Sequence, residues 1–304
     1  MTSTERLSVT RHRVLRLLVI LSILLVVTLL WITSSLRLWP AATSPVVATA
    51  VPQIITVAAG RSELAPVVLD VPNEFSFAIC GDSRDGDAVY RQILAQVMED
   101  GNRFLVHLGD IVPHGRANEW EAWRVLMTTS GFSLPFFPVP GNHDTSNGLL
   151  EMYVRYTGAP GVRYSIEAGP VHLAVLDSQT GALFDSTLDW LEKDLAATRK
   201  SVRMIGLHYP PFDPDGTDHI LHMGNERLMD IARRFQVNYV WAAHIHAFEH
   251  ARRDGTEYII TGGCGAPLYA GAHPQGAYHH YIRVSVHGEH VDWQVVRLKE
   301  PLSS

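Results

Sequence analysis

Residues 136–144 read FFPVPGNHD, a short apolar run that leads directly into a glycine and three polar residues. The aromatic and β-branched side chains favour a buried strand, and the glycine ends it. Asn142, His143 and Asp144 then offer an amide, an imidazole and a carboxylate. The stretch therefore predicts a strand whose carboxyl end carries hydrogen-bonding and metal-binding groups.

The same arrangement follows four other predicted strands. A lone aspartate or asparagine is an ordinary strand terminator, but five strands that all end in oxygen or imidazole groups indicate one shared site at a sheet edge. These side chains suit divalent transition metals, and the two carboxylates add the negative charge that a cation needs. The five pairs are Phe75–Cys80 before Asp82, Phe104–Leu108 before Asp110, Phe136–Val139 before Asn142 to Asp144, Val202–Leu207 before His208, and Tyr239–Ala243 before His244 and His246.

Amphipathic stretches separate the early strands, whereas hairpin-like segments follow late in the chain. Strand–helix alternation favours parallel pairing, and hairpins favour antiparallel pairing. We therefore expect an α/β fold in which two sheets form an αββα sandwich. The predicted helices are Asp87–Glu99, Asn118–Met127, Leu188–Leu195 and Glu226–Phe235, and the other predicted strands are Val171–Leu176, Tyr258–Thr261, Tyr278–Val286 and His290–Leu298.

The N-terminus predicts a membrane anchor. Residues 14–32 are almost entirely apolar and, as a helix, would span roughly 28 Å, close to a bilayer core. Four arginines lie at positions 6 to 16, and only Arg37 follows closely, which favours a cytoplasmic N-terminus. A cleaved signal peptide is the alternative, although no small-residue cleavage site follows directly.

This interpretation divides the chain into four parts. They are a cytoplasmic N-terminus (1–13), a single transmembrane helix (14–32), a linker (33–72) and an extracytoplasmic catalytic domain (73–304). The linker is rich in alanine, valine, threonine and proline, with short strands predicted at Gln53–Val57 and Pro66–Val71.

Composition limits the possible partners. The chain has 304 residues and a formal net charge of -6, so nothing favours an obligatory nucleic-acid partner. It has only two cysteines, which excludes a disulfide-stapled scaffold. We expect Cys80 and Cys264 to be free buried thiols, with pairing in an oxidising compartment as the alternative.

The motifs, taken in order, resemble those of the calcineurin-like metallophosphoesterases, from about Phe75 to Arg297. The stretches HAFE (246–249) and TGGCGAPLY (261–269) are also similar to the purple-acid-phosphatase branch of that superfamily. Each motif is weak alone, but the ordered set is specific. It consists of Gly81-Asp82, Gly109-Asp110, Gly141-Asn142-His143-Asp144, His208 and His244-Ile245-His246.

The resemblance implies a role for each matching residue. Asp110 would bridge two metals; Asp82 and His246 would complete the first metal site, and Asn142, His208 and His244 the second. His143 would act on the phosphoryl or leaving oxygen without binding metal, and Asp144 would orient His143. The implied cofactors are one or two divalent ions, such as Mn, Fe, Zn or Co.

One departure from the family pattern concerns the first motif. The family has Asp-x-His there, with the histidine on the first metal, whereas this chain has Asp82-Ser83-Arg84. A guanidinium has no lone pair to offer a metal. We therefore expect Arg84 to bind the substrate phosphate and the first metal to be held weakly. The alternative is a surface ion pair between Arg84 and Asp85, Asp87 or Glu119.

A second departure follows Asp110. The purple-acid-phosphatase branch carries a tyrosine ligand there, but this chain reads IVPH (111–114). The charge-transfer iron site of that branch is therefore not expected.

The remaining histidines have more ordinary interpretations. His107 and His172 lie inside apolar strands and are expected to be structural. His250 takes a position where the related pattern often has arginine, so it is a weaker candidate for contact with substrate. Several others are expected in solvated loops or at the mouth of the site, namely His114, His219, His222, His273, His279 and His280.

The sequence leads to a phosphoester hydrolase as the first hypothesis, acting on small-molecule or lipid-linked phosphomonoesters or phosphodiesters. The alternative is a non-catalytic module of the same fold that is tethered to the membrane and binds a phosphorylated ligand or a protein. A nuclease is a third hypothesis, which the acidic balance disfavours. The sequence does not indicate an oligomeric state.

Overall fold

The computed structural model describes residues 65–212, 216, 218–271 and 273–298. The predicted anchor at 14–32, the strand at Gln53–Val57 and most of the linker lie outside these residues. No helix within the described ranges is long and apolar enough to cross a membrane.

Twelve strands and five α-helices make up the described part of the chain. The strands are β1 (Val67–Leu69), β2 (Glu74–Cys80), β3 (Leu105–His107), β4 (Phe136–Pro138), β5 (Tyr164–Ala168), β6 (Val171–Val175), β7 (Val202–Gly206), β8 (Tyr239–Ala242), β9 (Phe248–Arg253), β10 (Thr256–Thr261), β11 (His280–His287) and β12 (His290–Arg297). The helices are α1 (Asp87–Glu99), α2 (Ala117–Thr129), α3 (Glu151–Thr157), α4 (Asp185–Ala197) and α5 (Asn225–Arg234), with a 3-10 turn at Asn142–Asp144.

The strands form two sheets. One has seven strands in the order β1-β5-β6-β7-β8-β10-β9, and the other has five in the order β12-β11-β2-β3-β4. The early strands β2, β3 and β4 pair in parallel, whereas the hairpins β9–β10 and β11–β12 are antiparallel. Both pairing predictions are confirmed.

Three apolar clusters place the sheets face to face between two helical layers. One cluster fills the space between the sheets, with Phe77 and Val106 from one sheet and Leu173 and Trp241 from the other. A second packs α4 and α5 on the outer face of the larger sheet, and a third packs α1 and α2 on the outer face of the smaller. The predicted αββα sandwich is confirmed for the described residues.

β1 pairs in parallel with β5 and is therefore part of the larger sheet. Its residues fall within the predicted strand Pro66–Val71, which we had assigned to the linker. The folded part of the chain thus begins before residue 73.

Candidate metal centre

Carboxylate and imidazole groups from four strand ends meet in two overlapping clusters. Asp82, Asp110 and His246 place ligand atoms within 4.8 Å of one another, and Asp110, His208 and His244 do the same. Asp110 is common to both. The sixth predicted ligand, Asn142, joins the second cluster because its Oδ1 lies 3.1 Å from His208 Nε2.

The backbone leaves each of three strands in an unusual conformation at this point. Asp82, Asp110 and His244 have φ values of 60°, 56° and 68°. Left-handed backbone is uncommon for residues other than glycine, and such strain concentrates at functional sites. It turns the three side chains toward a common centre just where the strands end.

Glycines allow the loops to approach this centre. A Cβ at Gly141 would lie 2.2 Å from Asp110 N and 2.4 Å from Asp110 Oδ1, so no larger residue fits beside the shared carboxylate. At Gly109, φ is +94° and a Cβ would lie 2.6 Å from Gly141 N. The loops that contain Gly109-Asp110 and Gly141-Asn142 are therefore packed against each other.

Two ring orientations leave a nitrogen lone pair facing the centre. His208 Nδ1 lies 2.8 Å from the carbonyl of Leu108, and His246 Nδ1 lies 2.7 Å from that of Pro267. Because a carbonyl only accepts, each Nδ1 carries a proton and donates it. Each Nε2 is then unprotonated, as a metal ligand requires, and a carbonyl partner of this kind is typical around metal-binding histidines.

The imidazoles are held in their neutral form. Burial, reinforced by the neighbouring His208, lowers the pKa of His244 to about 2. Burial likewise lowers the pKa of His246 to about 4. Neutral imidazole is the form that binds a metal.

Asp82 gives the clearest indication that a cation fits. Its Oδ2 accepts the backbone N–H of His244 at 2.9 Å, but its fully buried Oδ1 has no hydrogen-bond donor among the described residues. Burial and the nearby carboxylate of Asp110 raise the pKa of Asp82 well above its ordinary value. A buried, unpaired carboxylate oxygen is costly unless a positive charge compensates it, and His246 Nε2 lies 3.6 Å away as a second ligand.

The carboxylate of Asp144 contacts backbone N–H groups and not the ring of His143. Asp144 is buried, and its two oxygens accept four backbone N–H groups, from Gly141 and from residues 110–112. His143 Nδ1 lies 2.5 Å from the carbonyl of Pro113, which sets the ring orientation. Among the described residues Asp144 forms no hydrogen bond with His143, so any effect of its carboxylate on that ring passes through the two loops that it joins.

His143 lies beside the centre without entering either cluster. Its Nε2 is 3.9 Å from Asp110 Oδ2, and about a third of the side chain is exposed. Its backbone N–H donates to Asp110 Oδ1 at 3.0 Å. This position suits a group that acts on a bound molecule.

Arg84 forms two ion pairs. Its Nε lies 3.3 Å from Asp110 Oδ2, and its Nη1 lies 2.7 Å from Asp85 Oδ2. The side chain is 17% exposed, whereas that of Asp110 is 1% exposed. Arg84 thus contacts the shared carboxylate of the centre, where phosphate binding was predicted. It also pairs with Asp85, one of the surface partners named as the alternative.

Two tyrosines beside the ligands were not predicted. The Tyr209 ring lies 3.9 Å from that of His244, and the Tyr269 ring lies 4.5 Å from that of His246. Burial, together with Asp110 and Asp82, raises the pKa of Tyr209 to about 12, so its phenol keeps its proton. Tyr209 directly follows the predicted ligand His208 in the sequence, and this adjacency could have identified it as a residue of the site.

The other histidines differ in burial and in hydrogen-bond partners. His107 and His172 are buried and hydrogen-bonded to Ser83 and Asp194, which confirms a structural role. His250 forms a hydrogen bond with Glu257, and its ring packs against that of Trp293. Of those expected in solvated loops or at the mouth, His114 and His219 have ring centres 6.4 Å from His143 and 5.7 Å from His244, respectively, whereas His273 and His280 are buried.

A cavity of about 380 Å³ opens beside Arg84. Its lining includes residues 111–113, which follow Asp110, and Trp123 on α2. Ser83 and Asp85, the neighbours of Arg84, also line it. Some of the residues that line the cavity adjoin Asp82 and Asp110 in sequence, but none of the lining residues is a candidate metal ligand.

Comparison with known proteins shows the family to which this chain belongs. Residues 75–248 match the family described as calcineurin-like phosphoesterase. A probable glycerophosphodiester phosphodiesterase, GpdQ, of Arcobacter nitrofigilis is 29% identical over 155 residues, which cover 47% of this chain and 56% of that protein. Purple acid phosphatase 23 of Arabidopsis thaliana is 23% identical over 155 residues, 44% of this chain and 33% of that protein.

The fold is also found in a solved structure. Purple acid phosphatase PPD1 from yellow lupin superposes with a TM-score of 0.62 at 15% identity, covering 75% of this chain and 53% of that one. This chain thus spans about half or less of the length of these relatives. Calcineurin-like phosphoesterases and purple acid phosphatases use dinuclear divalent metal centres, and this chain has aspartate and histidine groups positioned for a metal.

Proposed function

We propose that this chain, a member of the calcineurin-like phosphoesterase family, is a metal-dependent hydrolase of phosphoester bonds that a membrane anchor holds outside the cytoplasm. The observation that carries the hydrolytic part is the pair of ligand clusters that share Asp110. The relatives include both a phosphodiesterase and a phosphatase, so the proposal covers phosphodiesters and phosphomonoesters.

The residues present fit a two-metal centre. Asp82, Asp110 and His246 would hold one ion, and Asp110 with Asn142, His208 and His244 would hold the other. The donor set of carboxylates, imidazoles and an amide suits Mn, Fe, Zn or Co. When bound, two such cations supply the positive charge that activates a water molecule and neutralises the phosphate.

His143 is the general acid in this proposal. Its Nδ1 is held by the Pro113 carbonyl, which leaves Nε2 to carry the second proton of an imidazolium. Its partial exposure and its place beside Asp110 let Nε2 reach the ester oxygen as that oxygen leaves. Proton transfer from a positioned group of this kind typically accelerates a reaction by about 10²–10⁴-fold.

Arg84 holds the phosphate. Asp82, Asp110, an attacking hydroxide, a phosphomonoester dianion and Asp85, which pairs with Arg84, together carry six negative charges, and two divalent cations with the His143 imidazolium supply five positive charges. The guanidinium supplies the sixth, and its planar set of donors matches phosphate oxygens. Because Arg84 already contacts Asp110, a phosphate at the centre lies within its reach.

The alcohol part of the ester extends into the cavity beside Arg84. That cavity measures about 380 Å³ and is lined by apolar and acidic residues, which leaves room for an organic substituent. Small-molecule esters and lipid headgroups both fit this description. The membrane anchor at 14–32, if present in the mature protein, places the domain near lipid-linked substrates.

A specific contact favours a second function, a tethered module that binds without hydrolysis. Arg84 pairs with the same carboxylate that would bridge the metals, and it stands where the family pattern has a metal ligand. In that case Arg84 would replace the first metal and the site would bind a phosphate group only.

Metal analysis combined with hydrolysis separates the two functions. The full chain, purified in detergent and stripped of metal, is reloaded with Mn²⁺ and assayed with p-nitrophenyl phosphate and its bis ester. A hydrolase gains turnover as metal binds, and Asp110→Asn loses both. A binding module binds phosphate with no turnover at any metal concentration.

A further inference from the structure

The two cysteines of the chain lie side by side behind the metal centre. Cys80 ends β2, and Cys264 lies in the loop between β10 and β11. Both are free thiols with no exposed surface, and their sulfur atoms lie within 4.8 Å of each other. No other cysteine exists in the sequence, so neither sulfur has a competing partner.

His107 lies in the same cluster but is already engaged through both ring nitrogens. Its Nδ1 accepts the N–H of Gly109 at 3.3 Å, and its Nε2 lies 3.0 Å from Ser83 Oγ. The pKa of His107 is lowered to about 3 by burial, so the ring is neutral and its proton is donated to Ser83. The pair of sulfurs is thus the reactive part of the cluster, which favours a disulfide over a third metal site.

The loop that carries Cys264 supports two candidate ligands. Cys264 N donates to Gly81 O at 3.0 Å, and Ala266 N donates to Asp82 O at 2.8 Å. The carbonyl of Pro267 then receives the Nδ1 proton of His246. Any displacement of this loop would move Asp82 and His246, both in the first metal cluster.

We infer that Cys80 and Cys264 form a disulfide when the chain folds in an oxidising compartment, and that this bond fixes the loop against the strand end that carries Asp82. The inference rests on the proposed extracytoplasmic setting. In the reaction the two thiols lose two electrons and two protons and form one S–S bond. A small-molecule or protein disulfide accepts them and is released as two thiols.

The bond would form before the core closes, because an oxidant has no access to the sulfurs once they are buried. Its position gives it a large effect on the unfolded chain. The covalent ring would run from residue 80 to residue 264 and enclose all six candidate metal ligands. Long rings restrict the unfolded chain most, which raises the melting temperature.

The test uses the full-length chain in detergent, unfolded and then refolded with either oxidised or reduced glutathione. After oxidation we expect an intact mass lower by two hydrogen atoms and no alkylation of either cysteine in denaturant. With chelator present, so that no metal contributes, the oxidised chain should melt roughly 5–10 °C above the reduced chain. The Cys80→Ala/Cys264→Ala double variant should show no difference between the two buffers.

Full alkylation of both cysteines after oxidative refolding would overturn the inference, and that result needs no variant to fold. A disulfide that forms without any change in melting temperature would also overturn it, because the loop would not be constrained. Neither readout uses substrate or metal, so a failure here leaves the proposed hydrolysis untouched. The compartment itself is tested separately by a reporter fusion.

Discussion

At the residue scale, the division between ligands and catalytic groups decides the chemistry. His244 lies within a cluster of ligand atoms, whereas His143 stands 3.9 Å from the shared carboxylate and faces outward. We expect His244→Ala to lose bound metal and activity together. His143→Ala should keep its metal and lose turnover by about 10²-fold or more.

Metal content and kcat of the two variants, measured on the same samples, check this prediction. His290→Ala is the control, because that histidine is exposed on β12 and pairs with Asp292. If His143→Ala lost metal as completely as His244→Ala, His143 would be a ligand and its proposed role would be wrong.

Arg84 carries the second prediction at this scale. Arg84→Ala should raise KM for a monoester dianion more than for a diester monoanion, because the dianion has more charge to compensate. Arg84→His should restore the family's ligand pattern, so that first-site metal affinity rises while phosphate binding weakens. Arg124→Ala, which removes an exposed arginine of α2, should change neither.

Kinetics with both esters and metal titration of each variant provide the measurement. Unchanged kinetics and metal content in Arg84→Ala would mean that the residue forms only its ion pairs with Asp85 and Asp110 and takes no part in phosphate binding. The hypothesis of phosphate binding would then be dropped.

The ligand set could be predicted because each ligand comes soon after an apolar strand, and parallel strands bring their carboxyl ends to one edge of a sheet. Nothing in the sequence shows that this edge of the smaller sheet, with β2, β3 and β4, meets that of the larger sheet, with β7 and β8. The hydrogen-bond partners of the site residues could not be predicted. The family resemblance implied that Asp144 orients His143, yet its four backbone donors come from two loops that meet only in the fold. Likewise, nothing in the sequence joins Pro267 to His246.

At the scale of elements, strongly apolar strands were predicted closely and polar ones were missed. β2 was expected at Phe75–Cys80 and runs over Glu74–Cys80. β9, with the sequence FEHARR, is the edge of the larger sheet and is mostly unburied, so it has no apolar pattern to detect. The helix α3 was also absent from the prediction, because seven residues are too few for a clear helical period. β5 was missed as well, although its sequence YSIEA alternates apolar and polar residues as a strand does.

The loop junction at Gly141 gives a prediction at this scale. Gly141→Ala should weaken metal binding and activity because the new Cβ would overlap both the backbone and the carboxylate of Asp110. Gly271→Ala is the matched control, since a Cβ there meets no atom within 4 Å. Metal affinity and melting temperature of both variants test the difference, and equal behaviour would mean that the loops have room to separate.

At the scale of the whole molecule, the open question is on which side of a membrane the domain lies. The arginines before residue 17 favour a cytoplasmic N-terminus and an extracytoplasmic C-terminus. A reporter that is active only in the cytoplasm, fused to the C-terminus, should therefore give no signal. The same reporter fused before residue 14 is the positive control, and a strong signal from the C-terminal fusion would reverse the topology.

The central claim is that two ligand clusters sharing Asp110 hold divalent metal for phosphoester hydrolysis. The most direct measurement follows bound Mn²⁺ and the rate of bis(p-nitrophenyl) phosphate hydrolysis in one titration of the metal-free full chain, beside Asp110→Asn. We predict that the rate rises with bound metal in the natural chain and that Asp110→Asn abolishes both. Hydrolysis without metal, or undiminished metal binding by Asp110→Asn, would contradict the claim.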